Sequence, residues 1–314
     1  MKPAAGPDTP SSERRASFWR GGDGLLRPGW AILLFMSIAV VAALILLALL
    51  FLLGLWTVAE VQAVQTRITP RVVLALAVAE SSGLLVAYAV MSRIDGRSWQ
   101  DYGLRRDRAL LRFGQGALSG VLLMSLLVGV LVLIQAMQIG SSARAAGPLL
   151  GSGLEWAAAF VPAAFVEEMM FRGYPFFRLA RAINPTRAAI VMSLLFGLAH
   201  LSNGGEALIG ILQVVCIGLL FSLAVWRTGS LWWSIGAHAA WNWTQTFVFG
   251  CANSGLSGSG QWLVSVPTGP GWLSGGATGP EGSLLVVPVL GLMLWVIVRT
   301  LPAVPHTRPE GALS

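Results

Sequence analysis

Residues Ala31 to Leu55 read AILLFMSIAVVAALILLALLFLLGL, 25 consecutive residues without a charge. As a helix rising 1.5 Å per residue the run would reach ~37 Å, more than the ~30 Å of hydrocarbon in a bilayer. It is too long for the apolar core of a signal peptide. It reads as an uncleaved first membrane helix behind a polar tail at residues 1–29, rich in Pro, Ser and Arg.

Further along, charge-poor runs recur at Val72 to Ser92, Phe113 to Met137, Leu154 to Phe177, Ala188 to Leu201, Ala207 to Trp226, Leu231 to Phe249 and Ser283 to Val298. Of 314 residues, 55% are hydrophobic and 11% charged, against roughly 25% charged in a soluble domain. A water-facing surface cannot be built from that composition. The expected fold is all-α: a polytopic membrane protein of about eight transmembrane helices in one bundle, spanning residues 30–300, with a second cytosolic tail at 301–314.

Basic residues orient the bundle. With the N-terminus inside, Arg67, Arg71 and Arg144 fall in external loops and Arg172 within a span, which leaves 17 of the 21 Lys and Arg on the cytosolic side. Translocated loops are depleted in Lys and Arg, so eight spans with both termini cytosolic, in the cell membrane, are expected. The same placement explains the net charge of +7 without nucleic acid, for which no basic cluster interleaved with aromatics is present. Cys216 and Cys251 offer neither a disulfide framework nor metal-ligand spacing. The segment from Gly250 to Gly282, rich in Gly, Ser and Pro, reads as an external loop, and most of the 13 tryptophans as anchors at the membrane interface.

The fourth run is interrupted by Phe165-Val166-Glu167-Glu168-Met169-Met170-Phe171-Arg172-Gly173. Ionisable groups at membrane depth are costly, and they face the bundle interior, pair with each other or serve function. Glu168 and Arg172 stand at i and i+4, the favourable order for an ion pair, while Glu167 is turned about 100° away. The pair accounts for Glu168 and Arg172 as structural groups; Glu167, left without a structural purpose, is a candidate general base. His200 closes Phe196-Gly197-Leu198-Ala199-His200, and His238 and Asn242 share a helix face in His238-Ala239-Ala240-Trp241-Asn242. A lone histidine in an apolar helix is usually a packing residue. Two of three histidines in separate spans, beside a carboxylate and an amide, point instead to a site. Straight-helix geometry puts Glu167 roughly 15 Å from Phe177, His200 roughly 18 Å from Ala188, and His238 and Asn242 roughly 10 and 16 Å from Leu231, a common layer.

These motifs, in this order on separate spans between Phe160 and Gln245, and with the turn Thr228-Gly229-Ser230-Leu231, resemble the CAAX-protease and bacteriocin-processing (CPBP) family of intramembrane glutamic endopeptidases. The resemblance implies hydrolysis of a peptide bond in a membrane-embedded or lipidated peptide or protein. Glu167 and His200 would activate water, His238 and Asn242 would bind the oxyanion, and Glu168 with Arg172 would support Glu167. The catalytic motifs fall within residues 160–245.

Three alternatives compete. Glu167, His200 and His238 could form a two-histidine, one-carboxylate zinc site. Against it, the chain lacks H-E-x-x-H, and Asn242 is a poor zinc ligand but a good oxyanion donor, so neither metal nor cofactor is expected. A non-enzymatic binding or immunity factor could retain the pocket without turnover. A proton-coupled transporter would also bury Glu and His, but the chain has no internal repeat. Glu80, in the second run, could line a substrate path; Glu155 and Glu206 read as interfacial groups.

Overall fold

The computed structural model describes residues 18–21, 24–55, 57, 67–142 and 146–303. Most of the two expected tails, with His306, and the basic residue Arg144 lie outside the described residues. The elements are α1 (Pro28–Leu52), α2 (Pro70–Asp95), α3 (Ala109–Leu133), β1 (Met137–Ser141), α4 (Ala146–Arg172), α5 (Tyr174–Ile183), α6 (Pro185–Ala199), α7 (Leu208–Thr228), α8 (Trp232–Trp243), β2 (Leu263–Pro267), α9 (Gly271–Ser274) and α10 (Val286–Thr300). The protein is an integral membrane protein of all-α architecture.

Proline opens several of these helices. Pro28, Pro70, Pro175 and Pro185 each occupy one of the first two helical positions, where the missing N–H has no intrahelical partner to lose. Thr69 caps α2 by accepting from the Val72 N–H, and Asn184 caps α6 by accepting from the Arg187 N–H. Gly96 and Gly229 close α2 and α7 in the left-handed conformation, which glycine adopts without steric cost.

Among the described residues, six helical stretches are long and apolar enough to cross a membrane: Pro28–Leu52, Pro70–Asp95, Ala109–Leu133, Pro148–Ile183, Pro185–Ser202 and Leu208–Thr228. The last two expected spans are shorter. α8 holds 12 residues and then widens into a π-helical turn, Thr244–Val248, and α10 holds 15. The fourth expected span is not one helix, because the chain breaks at Gly173 between α4 and α5. The straight-helix distance from Phe177 to Glu167 therefore does not apply: Glu167 sits five residues before the end of α4. Tyr88 fills the break. Its hydroxyl donates to the Met169 carbonyl (3.4 Å) and accepts from the Tyr174 N–H (2.8 Å). A β-carbon on residue 173 would lie 1.8 Å from that hydroxyl, so the arrangement requires glycine.

Helices α3 and α8 pack along each other with their backbones nearly touching. A β-carbon at Gly116 or Gly120 would meet the carbonyl oxygen of Trp233 or Ala237 at 2.0 or 2.4 Å, and one at Gly236 would meet that of Phe113 at 2.2 Å. In lipid, where apolar faces gain little by leaving their surroundings, such small-residue seams let helices approach closely enough for dispersion to hold them. The seam sets the position of α8, which carries His238 and Asn242.

The segment from Gly250 to Gly282 is not a plain loop. Its strand β2 pairs antiparallel with β1, from Met137 opposite Pro267 to Ser141 opposite Leu263, a small sheet that the all-α reading did not anticipate. Trp156 donates to the Ser259 carbonyl at 2.9 Å and Asn253 to Thr246 Oγ1 at 3.1 Å, knitting the segment to α4 and the π-helical turn. Several tryptophans are interior residues rather than interface anchors: Trp156, Trp233 and Trp241 are all buried.

Candidate active site

The end of α4 carries the acidic pair. Arg172 Nη1 stands 3.2 Å from Glu168 Oε1, with both side chains wholly buried. The guanidinium also lies 4.0 Å from the centroid of the Phe196 ring, an attraction that gains strength away from water. Gly218 of α7 leaves the space this cation needs, since a β-carbon there would come 2.7 Å from Arg172 Nη2.

Glu168 does more than pair with Arg172. Its Oε1 also accepts from His238 Nδ1 at 3.1 Å. A carboxylate can only accept, so the Nδ1 proton is fixed by this contact and the ring orientation with it. His238 Nε2 then points toward Glu167, 3.8 Å from Oε2. Glu167 Oε2 is buried and receives no hydrogen bond from the described residues, while the side chain as a whole keeps 34% of its exposure. Glu167 is thus partly accessible, and its buried oxygen faces His238 without a hydrogen bond.

His200 sits at the C-terminal end of α6, not inside it. Its Nδ1 lies 2.9 Å from the Phe196 carbonyl. A carbonyl accepts only, so Nδ1 carries the proton and Nε2 of the neutral ring is an acceptor. Phe196 therefore serves twice: its ring packs against Arg172 and, at 4.7 Å between centroids, against His200, while its carbonyl holds the His200 ring. That is a physical reason for the four-residue spacing in Phe196-Gly197-Leu198-Ala199-His200.

Glu167, His200, His238 and Asn242 all line one cavity of about 370 Å³. Its wall also includes Glu80 of α2, Gln213 of α7, Trp241 beside Asn242, and Asn253, Ser254 and Glu281 from the folded segment between α8 and α10. Trp243, the other neighbour of Asn242, instead donates to the Gly153 carbonyl at 2.9 Å. Among the described residues, no group of three or more His, Cys, Asp or Glu side chains is arranged to hold a metal ion.

Residues 121–244 match the family model described as type II CAAX prenyl endopeptidase Rce1-like. Over this stretch, 124 of the 314 residues, the protein is similar to that family of CAAX proteases. No curated protein and no solved structure matches it. The Rce1-like segment runs from within α3 to the first residue beyond α8, so it takes in Glu167, Glu168, Arg172, His200, His238 and Asn242. Glu80, Tyr88 and Glu281 lie outside it.

Some residues of the site left little trace in the sequence. Glu281 is buried, accepts from the Ser254 N–H, and stands 3.5 Å from Trp241 Nε1. Burial raises its carboxyl above the ordinary range. Nothing local marks it, because its partners are 27 and 40 residues away. Glu206, in the loop between α6 and α7, has both carboxyl oxygens buried without a hydrogen bond among the described residues. Burial, and next the nearby Glu281, push it up to about 7. It is a more constrained group than an interfacial glutamate. Gln213 did carry a signal, as a long polar amide in an otherwise apolar run.

Proposed function

We propose that this protein is an intramembrane endopeptidase that hydrolyses a peptide bond in a membrane-associated substrate by glutamate-activated water. The observation that carries the reading is that Glu167, His200, His238 and Asn242, from three separate helices, line the same cavity. Water attacks the peptide carbonyl carbon as Glu167 takes its proton, and His200 Nε2 accepts from the same water and orients it. Negative charge develops on the carbonyl oxygen of the tetrahedral intermediate. The Asn242 amide and His238 Nε2–H donate to it. With Nδ1–H already committed to Glu168, this role requires His238 to carry protons on both nitrogens. Glu167 then returns the proton to the amine nitrogen as the C–N bond breaks, and the products leave as an amine and a carboxylic acid, which gives up its proton to water or to the amine.

Glu168 and Arg172 are supporting groups in this scheme: Glu168 orients His238 and Arg172 holds Glu168. The catalytic unit falls within residues 160–245 of a membrane domain spanning 30–300, in the cell membrane with both termini cytosolic, and the reaction uses no metal.

The test is cleavage by purified protein in detergent or liposomes. Glu167→Gln keeps the shape of the side chain but cannot accept the water proton, so turnover should fall at least ~10²-fold with thermal stability unchanged. Wild-type turnover should survive chelation. Equal activity of Glu167→Gln and wild type removes Glu167 from the mechanism; loss of activity in chelator that zinc alone restores replaces it with a metallopeptidase.

A further inference from the structure

Glu80 is the only charged residue between Arg71 and Arg93. It is the eleventh of the 26 residues of α2, which puts it ~15 Å from one end of the helix and ~22 Å from the other. Val73, Leu76, Ala77 and Glu80 follow one helix face by their spacing, and all four line the cavity. The carboxyl group therefore faces the reacting groups and not the lipid. It lies outside the Rce1-like segment at 121–244, and the mechanism above does not use it.

At membrane depth an ionisable group is costly unless it has a partner. Glu80 is exposed to the cavity and makes no hydrogen bond or ion pair with another described residue. The charge that acts on it is the like charge of Glu167. His238, the cationic ring of the mechanism, is taken up by Glu167 and Glu168, the two carboxylates within its reach. A second wall residue is in a similar position: Gln213 is only 4% exposed, yet it has no hydrogen-bond partner among the described residues. Buried polar side chains are almost always partnered, so the cavity is built for an occupant with polar groups of its own. Around Glu80 the wall is apolar, with Val73, Leu76, Ala77 and Ala163. An apolar lining about one carboxylate matches a lysine or arginine, whose aliphatic stem packs on apolar groups while its charged end reaches the carboxylate. A cation placed there also offsets the repulsion between Glu80 and Glu167.

We propose that Glu80 is a specificity-determining residue that binds a basic side chain of the substrate within about three residues of the cleaved bond. The proposal rests on the peptidase reading and narrows its substrate class to segments with a lysine or arginine beside the cut. The limit of about three residues follows from length, since an extended peptide advances ~3.3 Å per residue and one cavity of about 370 Å³ holds both Glu80 and Glu167.

The experiment uses the full-length protein in liposomes and membrane-inserting peptides that share one cleavage sequence. Each of the three positions on either side of the bond carries lysine in one peptide and, in its control, norleucine, which has the same stem without the ammonium group. At one position lysine should raise kcat/KM about tenfold over norleucine, the lower end of what close charge pairs give across an interface. That ratio should fall below about twofold in Glu80→Gln. In Glu80→Lys the preference should reverse, with glutamate at that position cleaved faster than lysine; if thermal unfolding shows that this variant does not fold, Glu80→Gln decides alone. Lysine no better than norleucine at every position, or a lysine advantage that survives in Glu80→Gln, overturns the proposal while leaving a Glu167-dependent peptidase in place. A uniform fall of all rates in Glu80→Gln with the ratio intact overturns it too, and assigns Glu80 to the reaction itself. Cleavage of no peptide by wild type, or cleavage that persists in Glu167→Gln, overturns the peptidase reading and the proposal with it.

Discussion

Arg172 is held by two different attractions, an ion pair with Glu168 and the face of Phe196, and neither is shared with water. Removing it would strand Glu168 as a buried charge whose remaining partner is His238. Arg172→Ala should therefore destabilise the protein by about 3–5 kcal/mol, the range for breaking one side of a buried pair. Arg172→Lys keeps the charge but loses the planar group that stacks on the ring, and should fall between wild type and Ala. Thermal unfolding in detergent checks the order. A protein as stable as wild type in Arg172→Ala would mean that Glu168 and His238 satisfy each other unaided. Phe196 was legible from sequence only as the first residue of the motif that ends in His200, without a role of its own. Only its position between a cation and an imidazole gives it a purpose.

The Gly250 to Gly282 segment that links α8 to α10 is the element whose character changed most between sequence and structure. It reads as an external loop rich in Gly, Ser and Pro, but it is pinned by Glu281 and presses against the loop before α7, with Gly255 packed on Gly205. The Glu206 carboxyl is pushed up to about 7 from an ordinary 4.5. The folded state thus binds its proton more tightly than the unfolded chain does. The sign follows from proton linkage: stability from this group is full below about 4.5 and is lost as pH rises through about 7. The thermal midpoint should accordingly fall between pH 5 and pH 8, and Glu206→Gln should flatten that slope. A midpoint that rises over the same interval in wild type, with the Gln variant unchanged from it, would show that Glu206 is solvated and ionised throughout. The carboxyl is legible in the sequence; its burial, and the nearby charge of Glu281 many residues onward, are not.

At the scale of the whole molecule, orientation in the bilayer rests on the loop charges. If the N-terminus is cytosolic, the segment around Gly258 is external and the loop between α2 and α3, with Arg97, Arg105 and Arg106, is cytosolic. Single cysteines placed at the exposed Ser257, next to Gly258, and at Arg105, in a background lacking Cys216 and Cys251, should react with an impermeant reagent from opposite sides of intact cells or vesicles. Labelling of the Ser257 position from the cytosol alone would reverse the orientation and put the folded Gly250 to Gly282 segment inside. Such a result would leave the cavity unchanged while altering the face from which a soluble part of the substrate approaches.

Length and apolarity of the runs by themselves determined that this chain lives in a membrane as helices, because a helix is the way a single segment satisfies its backbone in hydrocarbon. They also isolated Glu167, Glu168, Arg172, His200, His238 and Asn242, since polar groups stand out where desolvation makes them costly. Sequence could not show where a helix stops. The break at Gly173 depends on the hydroxyl of Tyr88, 85 positions earlier in the numbering of one chain, and the shortness of α8 on a π-helical turn that no apolar pattern announces. Nor could it show which polar groups meet. Glu168 reads as the partner of Arg172 because they are neighbours on one helix, but its bond to His238 exists only because the glycine seam of α3 lets α8 approach. Local spacing decides contacts within a helix; contacts between helices are decided by how closely their backbones can pack.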